Sequence, residues 1–212
     1  MPTQLDYETA RDLAVETLSS LDLENCCDKA GLSLEVVTPG IQRVLIPYLG
    51  RQYALIMENE SIFFEEASSS LKIPDQVLLL HYLITARGVP VGEQWITFRE
   101  VPSGSFYYAA FVRRAINPLL KCFGHDPSLL SDVAQVIGQV LSSPGDAALK
   151  VFALPRVPVV LSVWRGDEEF PPQANVYMDQ SISSYLDTED IAYLSGAVVY
   201  KIVGIVRQLT SR

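Results

Sequence analysis

The hydrophobic period of the chain changes several times, and each change predicts an element. Residues 9–21 repeat at helical spacing, with Ala10, Leu13, Ala14, Thr17, Leu18 and Leu21 on one stripe and charged residues opposite, which predicts an amphipathic docking helix. From Gly31 the period becomes two, over residues 32–37, 43–46, 53–57 and 62–64. Pro39-Gly40, Leu49-Gly50-Arg51 and Glu58-Asn59-Glu60 separate these runs as turn signals, so they predict an antiparallel meander covered on one face.

The helical period then returns. Ile73-Pro74-Asp75 opens a helix over 76–87 and Gly88 follows its end; residues 77–84 are apolar almost all round, the mark of a buried helix. A short strand over 94–99 passes through Val101-Pro102-Ser103-Gly104 into a helix over 105–122. Its expected stripe is Phe106, Ala109, Ala110, Val112, Ile116, Leu119 and Leu120, with Pro118 bending or ending its regular part. Asp126 and Pro127 suit the cap and first position of a further amphipathic helix over 128–141.

Residues 147–152 and 157–164 read as strands reversed at Leu154-Pro155-Arg156, and the second runs into the stretch around which the C-terminal part is organised. That stretch, 154–179, is an apolar run, a Gly166-Asp167 turn, the carboxylates Asp167-Glu168-Glu169, a Pro171-Pro172 brake and a second β-rich run ending at Asp179. Gly166 permits positive φ and the prolines delay renewed pairing, so the carboxylates should project from a turn. At least one should bond backbone amides or a basic neighbour such as Arg156 or Arg99. Pro158 requires its strand to lie at an edge or to begin pairing later. Asp187-Thr188-Glu189-Asp190 caps a last helix over 191–209, which Lys201 and Arg207 interrupt. Ala192, Gly196, Tyr200 and Gly204 recur on it at every fourth residue, a small-residue groove suited to close approach by another element or a flat ligand.

These elements predict an α+β fold: a single domain over 1–212, with helix and meander in 1–70 and the remainder in 70–212. Its antiparallel sheet comprises the meander and the C-terminal hairpin, packed against several helices. A chain of 212 residues, 49% hydrophobic and 19% charged, can bury such a core. The net charge of −9 argues against nucleic-acid partners, and no run suits a membrane span. The start, Met1-Pro2-Thr3-Gln4-Leu5-Asp6, lacks the basic and apolar regions of an export signal, so a cytoplasmic protein is expected. Adjacent Cys26 and Cys27 with distant Cys122 make neither a disulfide framework nor a four-thiolate site; free thiols are the plain reading and a vicinal redox pair the sharper one.

Candidate chemistry is sparse. The sequence holds no phosphate loop, dinucleotide glycine motif, nucleophile elbow or His-Glu-x-x-His. His81 sits in the apolar wall of its helix, either as a satisfied core histidine or as an axial ligand facing a pocket; His125, the only other histidine, falls in a loop. Asp167, Glu168, Glu169 and Asp179, near Trp164 and Tyr177, could hold a hard divalent cation or do acid–base work; the alternative is a solvated turn accepting backbone amides.

Trp95-Ile96-Thr97-Phe98-Arg99-Glu100, Phe123-Gly124, Pro155-Arg156-Val157-Pro158, Trp164-x-Gly166-Asp167-Glu168-Glu169-Phe170-Pro171, Asp179 and Tyr185-Leu186 resemble a family of bacterial and archaeal proteins known as a domain of unknown function, met chiefly in strict anaerobes. The likeness runs from about residue 70 to the C-terminus. It implies a cytoplasmic accessory protein, with a corrinoid or other tetrapyrrole, one-carbon or iron–sulfur setting, and supplies no catalytic residues. The function expected is non-catalytic binding of a small molecule or cofactor. Its pocket is framed by His81, Arg99, Arg156 and Trp164, with Asp167, Glu169 and Asp179 as further candidate ligand contacts and no metal assigned. The alternatives are an enzyme acting through Asp167 and Glu169, with or without a divalent cation, and a protein–protein adaptor.

Overall fold

The period-two segments pair as their turns require. In the computed structural model, which describes residues 4–59, 61–65 and 71–211, β1 (Leu34–Thr38), β2 (Ile41–Tyr48), β3 (Arg51–Glu58) and β4 (Ser61–Phe64) form an antiparallel four-stranded meander in that order. Leu49 and Gly50 both have positive φ, 49° and 76°, the backbone that a two-residue type I′ hairpin needs between paired Tyr48 and Arg51. Val44, Ile46, Tyr53, Leu55 and Ile62 share the buried face, as the register of alternating side chains dictates. Glu60, the third residue of one expected turn, and the Met1–Thr3 start lie outside the described residues.

The class expected from the pattern, α+β with antiparallel strands and several helices, is the class observed. Its strands divide between two sheets and its residues between two compact units. The first unit comprises residues 1–90 with the short segments Leu154–Arg156 and Ser184–Leu186; it holds the meander, α1 (Gln4–Ser19), α2 (Leu23–Ala30) and α3 (Ile73–Thr85). α3 starts with Pro74 in its first turn and buries Leu78, Leu79, Leu80, Tyr82 and Leu83 completely, as its all-round apolar pattern predicts. α1 packs on α3, but its buried residues are Ala14 and Leu18, while Leu13 and Leu21 of the expected stripe are exposed. α2, between Asp22 and Gly31, was not expected; eight residues are too few to display a period.

The second unit comprises Val91–Ala153, Val157–Ser183 and Asp187–Arg212. Its sheet has the order β5-β9-β8-β7-β6, from β5 (Trp95–Thr97), β6 (Gln139–Leu141), β7 (Ala147–Leu154), β8 (Val157–Trp164) and β9 (Gln173–Asp179). β8 is central rather than an edge, and its pairing with β9 begins at Val159↔Met178, one residue beyond Pro158. β5 is shorter than expected because Phe98–Glu100 turns into a 3-10 helix, fixed by a capping box in which Glu100 takes the amide and hydroxyl of Thr97.

The expected helix over 105–122 is α4 (Gly104–Phe111), a π-helical stretch (Val112–Ile116) and α5 (Asn117–Phe123). Pro118 gives the reason: without an N–H it cannot bond a preceding carbonyl, and the widened turn accommodates that loss. The buried stripe is Phe111, Ala115, Leu119 and Phe123, so Phe106, placed in the core by the sequence pattern, is 89% exposed. The helix expected over 128–141 stops early: α6 is only Leu129–Ala134, and Gly138 at φ 93° leads into β6, where a Cβ would stand 2.4 Å from the Lys150 carbonyl. α7 (Thr188–Thr210) runs beside the 104–123 helix, and Gly196 admits the backbone of Arg114 to 3.3 Å of its would-be Cβ. Another helix therefore fills the groove at that point. Gly204, two turns on, faces open space. Among the described residues no helix is long and apolar enough to cross a membrane.

Candidate functional site

The expected site residues divide between the two units, and each takes its surroundings from its own. In the first unit, His81 is half-buried on α3, its carbonyl accepting from Thr85 Oγ1 at 2.7 Å. Its neighbour Tyr82 is the hub: the phenol donates to the Ala30 carbonyl at 2.5 Å and accepts from the Arg156 amide at 3.2 Å. Burial raises the Tyr82 pKa well above the ordinary phenol value, so it stays a neutral donor. Arg156 lies over Gly31, whose φ of 71° closes α2; its Nε is 2.8 Å from the position of a Cβ there. A cation at the negative end of α2 has a structural role. Cys26 and Cys27 are buried on the same helix, and burial first, then the neighbouring Cys26, pushes the Cys27 thiol up to about 12. Such a thiol is a poor nucleophile.

In the second unit, Arg99 is exposed and stacks on Tyr108, its guanidinium carbon 3.9 Å from the ring centroid. Trp164 ends β8 and pairs with Gln173, and the carboxylate turn lies between those two residues. Asp167 Oδ1 accepts from the amides of Glu169 at 2.9 Å and Phe170 at 2.7 Å, while its own amide donates to the Phe170 carbonyl. Asp167 therefore builds the turn, as one of the two expected roles required. Gly166 does so differently from the expectation: its φ is not positive, but a Cβ would come within 2.6 Å of Pro172, so the need is for space. Glu168 and Glu169 are exposed, and among the described residues no three carboxylate, imidazole or thiol groups gather as a metal-binding set.

Asp179 stands apart from that turn, at the opposite end of the seven-residue strand β9, roughly 20 Å away at 3.3 Å per residue. It is 2% exposed. Its Oδ1 accepts from Ser181 N at 3.0 Å, Ser181 Oγ at 2.5 Å and Gly92 N at 3.4 Å. Burial pushes its pKa up, but the bonds from Ser181 and Gly92, together with the field of the Glu93 amide, outweigh burial and hold the carboxyl below the ordinary aspartate value. The other oxygen, Oδ2, is buried with no hydrogen-bond partner among the described residues. Ser162 Oγ shares that condition, but an unmet neutral hydroxyl costs less than an unmet charged oxygen.

The surroundings of Asp179 come from three elements. Trp95 on β5 lies directly opposite it in register, hence on the same face of the sheet. The preceding loop holds Glu93 at φ 55°, an uncommon backbone for that residue, and Glu93 pairs with Lys150 of β7. Lys150 Nζ also lies 5.5 Å from the Trp95 ring centroid and 5.3 Å from that of Phe152. Of this group, the sequence pointed to Asp179 alone as a site residue. Asp179-Gln180-Ser181 has the spacing of an Asx turn and could have been read as such; the Glu93–Lys150 pair spans 57 residues and leaves no local signal.

The chain belongs to the family described as a domain of unknown function, DUF3786, which its residues 22–201 match. The match begins well before residue 70 and so takes in most of the meander unit as well. No curated protein and no solved structure matches the chain.

Proposed function

We propose that the protein binds a small molecule or cofactor without transforming it, and that the second unit does so at Asp179. The observation that carries this reading is the buried Oδ2, unpartnered among the described residues, of a carboxylate whose other oxygen is bonded three times. An unmet charged oxygen costs several kcal/mol on the order of a lost charged hydrogen bond, and a bound donor would recover it. Trp95 beside it supplies apolar surface of the kind that lines ligand sites. Arg156, Arg99 and the Asp167 turn are engaged at the end of α2, on Tyr108 and in their own turn respectively, and His81 lies on α3 of the first unit, so within the second unit the binding role concentrates on Asp179. The same reading makes the protein a cytoplasmic accessory factor, for which three free thiols are suited, and the anaerobic corrinoid or one-carbon setting is the one in which to look for its ligand.

Native mass spectrometry and the absorbance spectrum of anaerobically purified protein test this reading. Expected is a stoichiometric small-molecule adduct on the wild type that Asp179→Asn loses. A wild type that carries no adduct and takes none up from a small-molecule extract overturns the reading.

A further inference from the structure

Resting on that binding site, we infer that its ligand is an organic cation bearing N–H donors, an ammonium or guanidinium group, seated between Asp179 Oδ2 and the face of Trp95. The unmet oxygen accepts only; it needs a donor. Among the described residues Asp179 has no Lys or Arg partner, so its buried negative charge lacks a countercharge, which a cationic donor supplies and a neutral one does not.

Trp95 provides the second recognition element. It sits opposite Asp179 in register, and a π face within about 6 Å of a cation attracts it. That this ring faces cations is visible within the chain, because the Lys150 ammonium already lies 5.5 Å from its centroid. Glu93, 65% exposed on the side chain, adds negative charge at the rim, and the net charge of −9 draws cations towards the surface as a whole. Lys150 is then a resident competitor: its ammonium lowers the affinity of the site for a second cation, and Glu93 partly offsets it. Access requires the 91–94 segment to yield. Its hold on the carboxylate is light at one point, the 3.4 Å bond from Gly92 N.

The test is ligand-observed NMR titration of the full chain with n-butylammonium, methylguanidinium, n-butanol, butyrate and tetramethylammonium. Butylammonium and methylguanidinium should bind, with butanol and butyrate silent and tetramethylammonium, which has no N–H, weaker by about tenfold, the size of one lost charged hydrogen bond. Lys150→Met should tighten butylammonium about threefold to tenfold. Asp179→Asn should abolish binding; should that variant not fold, Lys150→Met and the wild-type selectivity still decide. Preferential, Asp179-dependent binding of butanol or butyrate overturns the cation while leaving the binding reading in place. Silence of all five probes, or unchanged affinity in Lys150→Met, overturns it too. So does a crystal grown with butylammonium that shows only a water or an inorganic cation on Oδ2. A native-mass adduct that survives any of these outcomes keeps the two failures separate.

Discussion

The two ends of β9 carry an aspartate doing the same local work under opposite conditions. Before the strand, Asp167 Oδ1 gathers the amides of Glu169 and Phe170 in a solvent-exposed turn; at its end, Asp179 Oδ1 gathers the amide and hydroxyl of Ser181 in the interior and the amide of Gly92 at its margin. Water can serve the second oxygen of Asp167. Bulk solvent does not reach that of Asp179, whose Oδ2 is buried and has no hydrogen-bond partner among the described residues. A carboxylate that merely closes a turn is thus cheap at the surface, whereas in the interior the same device leaves a charge needing a partner, and that need is what marks a site.

Removing both carboxylates in turn measures the contrast most directly. Asp179→Ala strands Ser181 N and Ser181 Oγ in the interior, besides releasing the part-buried bond from Gly92 N, and should cost about 2–4 kcal/mol in urea unfolding. Asp167→Ala leaves amides that water can reach and should cost about 1 kcal/mol. Equal losses would show that the two ends do not differ in burial energetics, and the argument for a site at Asp179 would fall with that difference.

The exposed end is itself tightly built, and Gly166→Ala tests how much of its stability comes from packing instead of the carboxylate. The new methyl would meet Pro172 N and Cδ at 2.6 Å, backbone and ring atoms that cannot swing aside, so a loss of about 1–3 kcal/mol is expected. Tolerance of alanine, measured as an unchanged melting temperature, would mean that the loop relaxes freely around Asp167.

How much of this was legible depended on whether the deciding interaction was local. The meander was read nearly strand for strand because Pro39-Gly40 and Leu49-Gly50 lie between alternating runs, and the Asp167 turn was legible because its acceptor and donors are two and three residues apart. The 105–122 stripe differs from the pattern in rotation: the buried set Phe111, Ala115, Leu119 and Phe123 steps by four through the π-helical stretch before Pro118, and Phe106 stands outside that row. The expected 128–141 helix stops at Ala134, and Gly138, whose positive φ and closeness to the Lys150 carbonyl of another strand leave no room for a Cβ, carries the chain into β6. Asp179 was picked out by sequence, yet grouped with Asp167 and Glu169 because nothing in the order of residues says which end of a strand is buried. Trp95, Glu93 and Lys150 meet only through strand pairing and a long-range ion pair.

Acid titration sharpens the comparison at smaller amplitude. The folded-state pKa of Asp179 is lowered from its ordinary value of 3.8, so the folded state binds fewer protons than the unfolded chain there. Its contribution is complete above that value and is lost as pH falls through the lower folded-state pKa. Wild type should therefore lose stability below about pH 4 more steeply than Asp179→Asn. Parallel pH profiles, measured by urea midpoints at a series of pH values, would mean that the Ser181 and Gly92 bonds do not favour the ionised form.

The smallest effect expected is that of Asp167→Asn, and it separates the two chemistries considered for the carboxylate turn. Asparagine retains an Oδ1 acceptor for the Glu169 and Phe170 amides, so only the charge-assisted share of those bonds is lost, about 0.5 kcal/mol at an exposed position. A cation site would behave otherwise. Relieving repulsion among Asp167, Glu168 and Glu169 would hold or raise stability while abolishing binding of Mg²⁺, Ca²⁺ or Mn²⁺. Calorimetric titration of wild type, Asp167→Asn and Glu169→Gln with each cation, beside their melting curves, decides between them. A small loss of stability in Asp167→Asn with no wild-type cation heat leaves Asp167 as the turn's own acceptor and Asp179 as the end of β9 where a ligand is to be sought. Stoichiometric cation uptake lost in either variant would reverse the comparison and make the exposed turn the site.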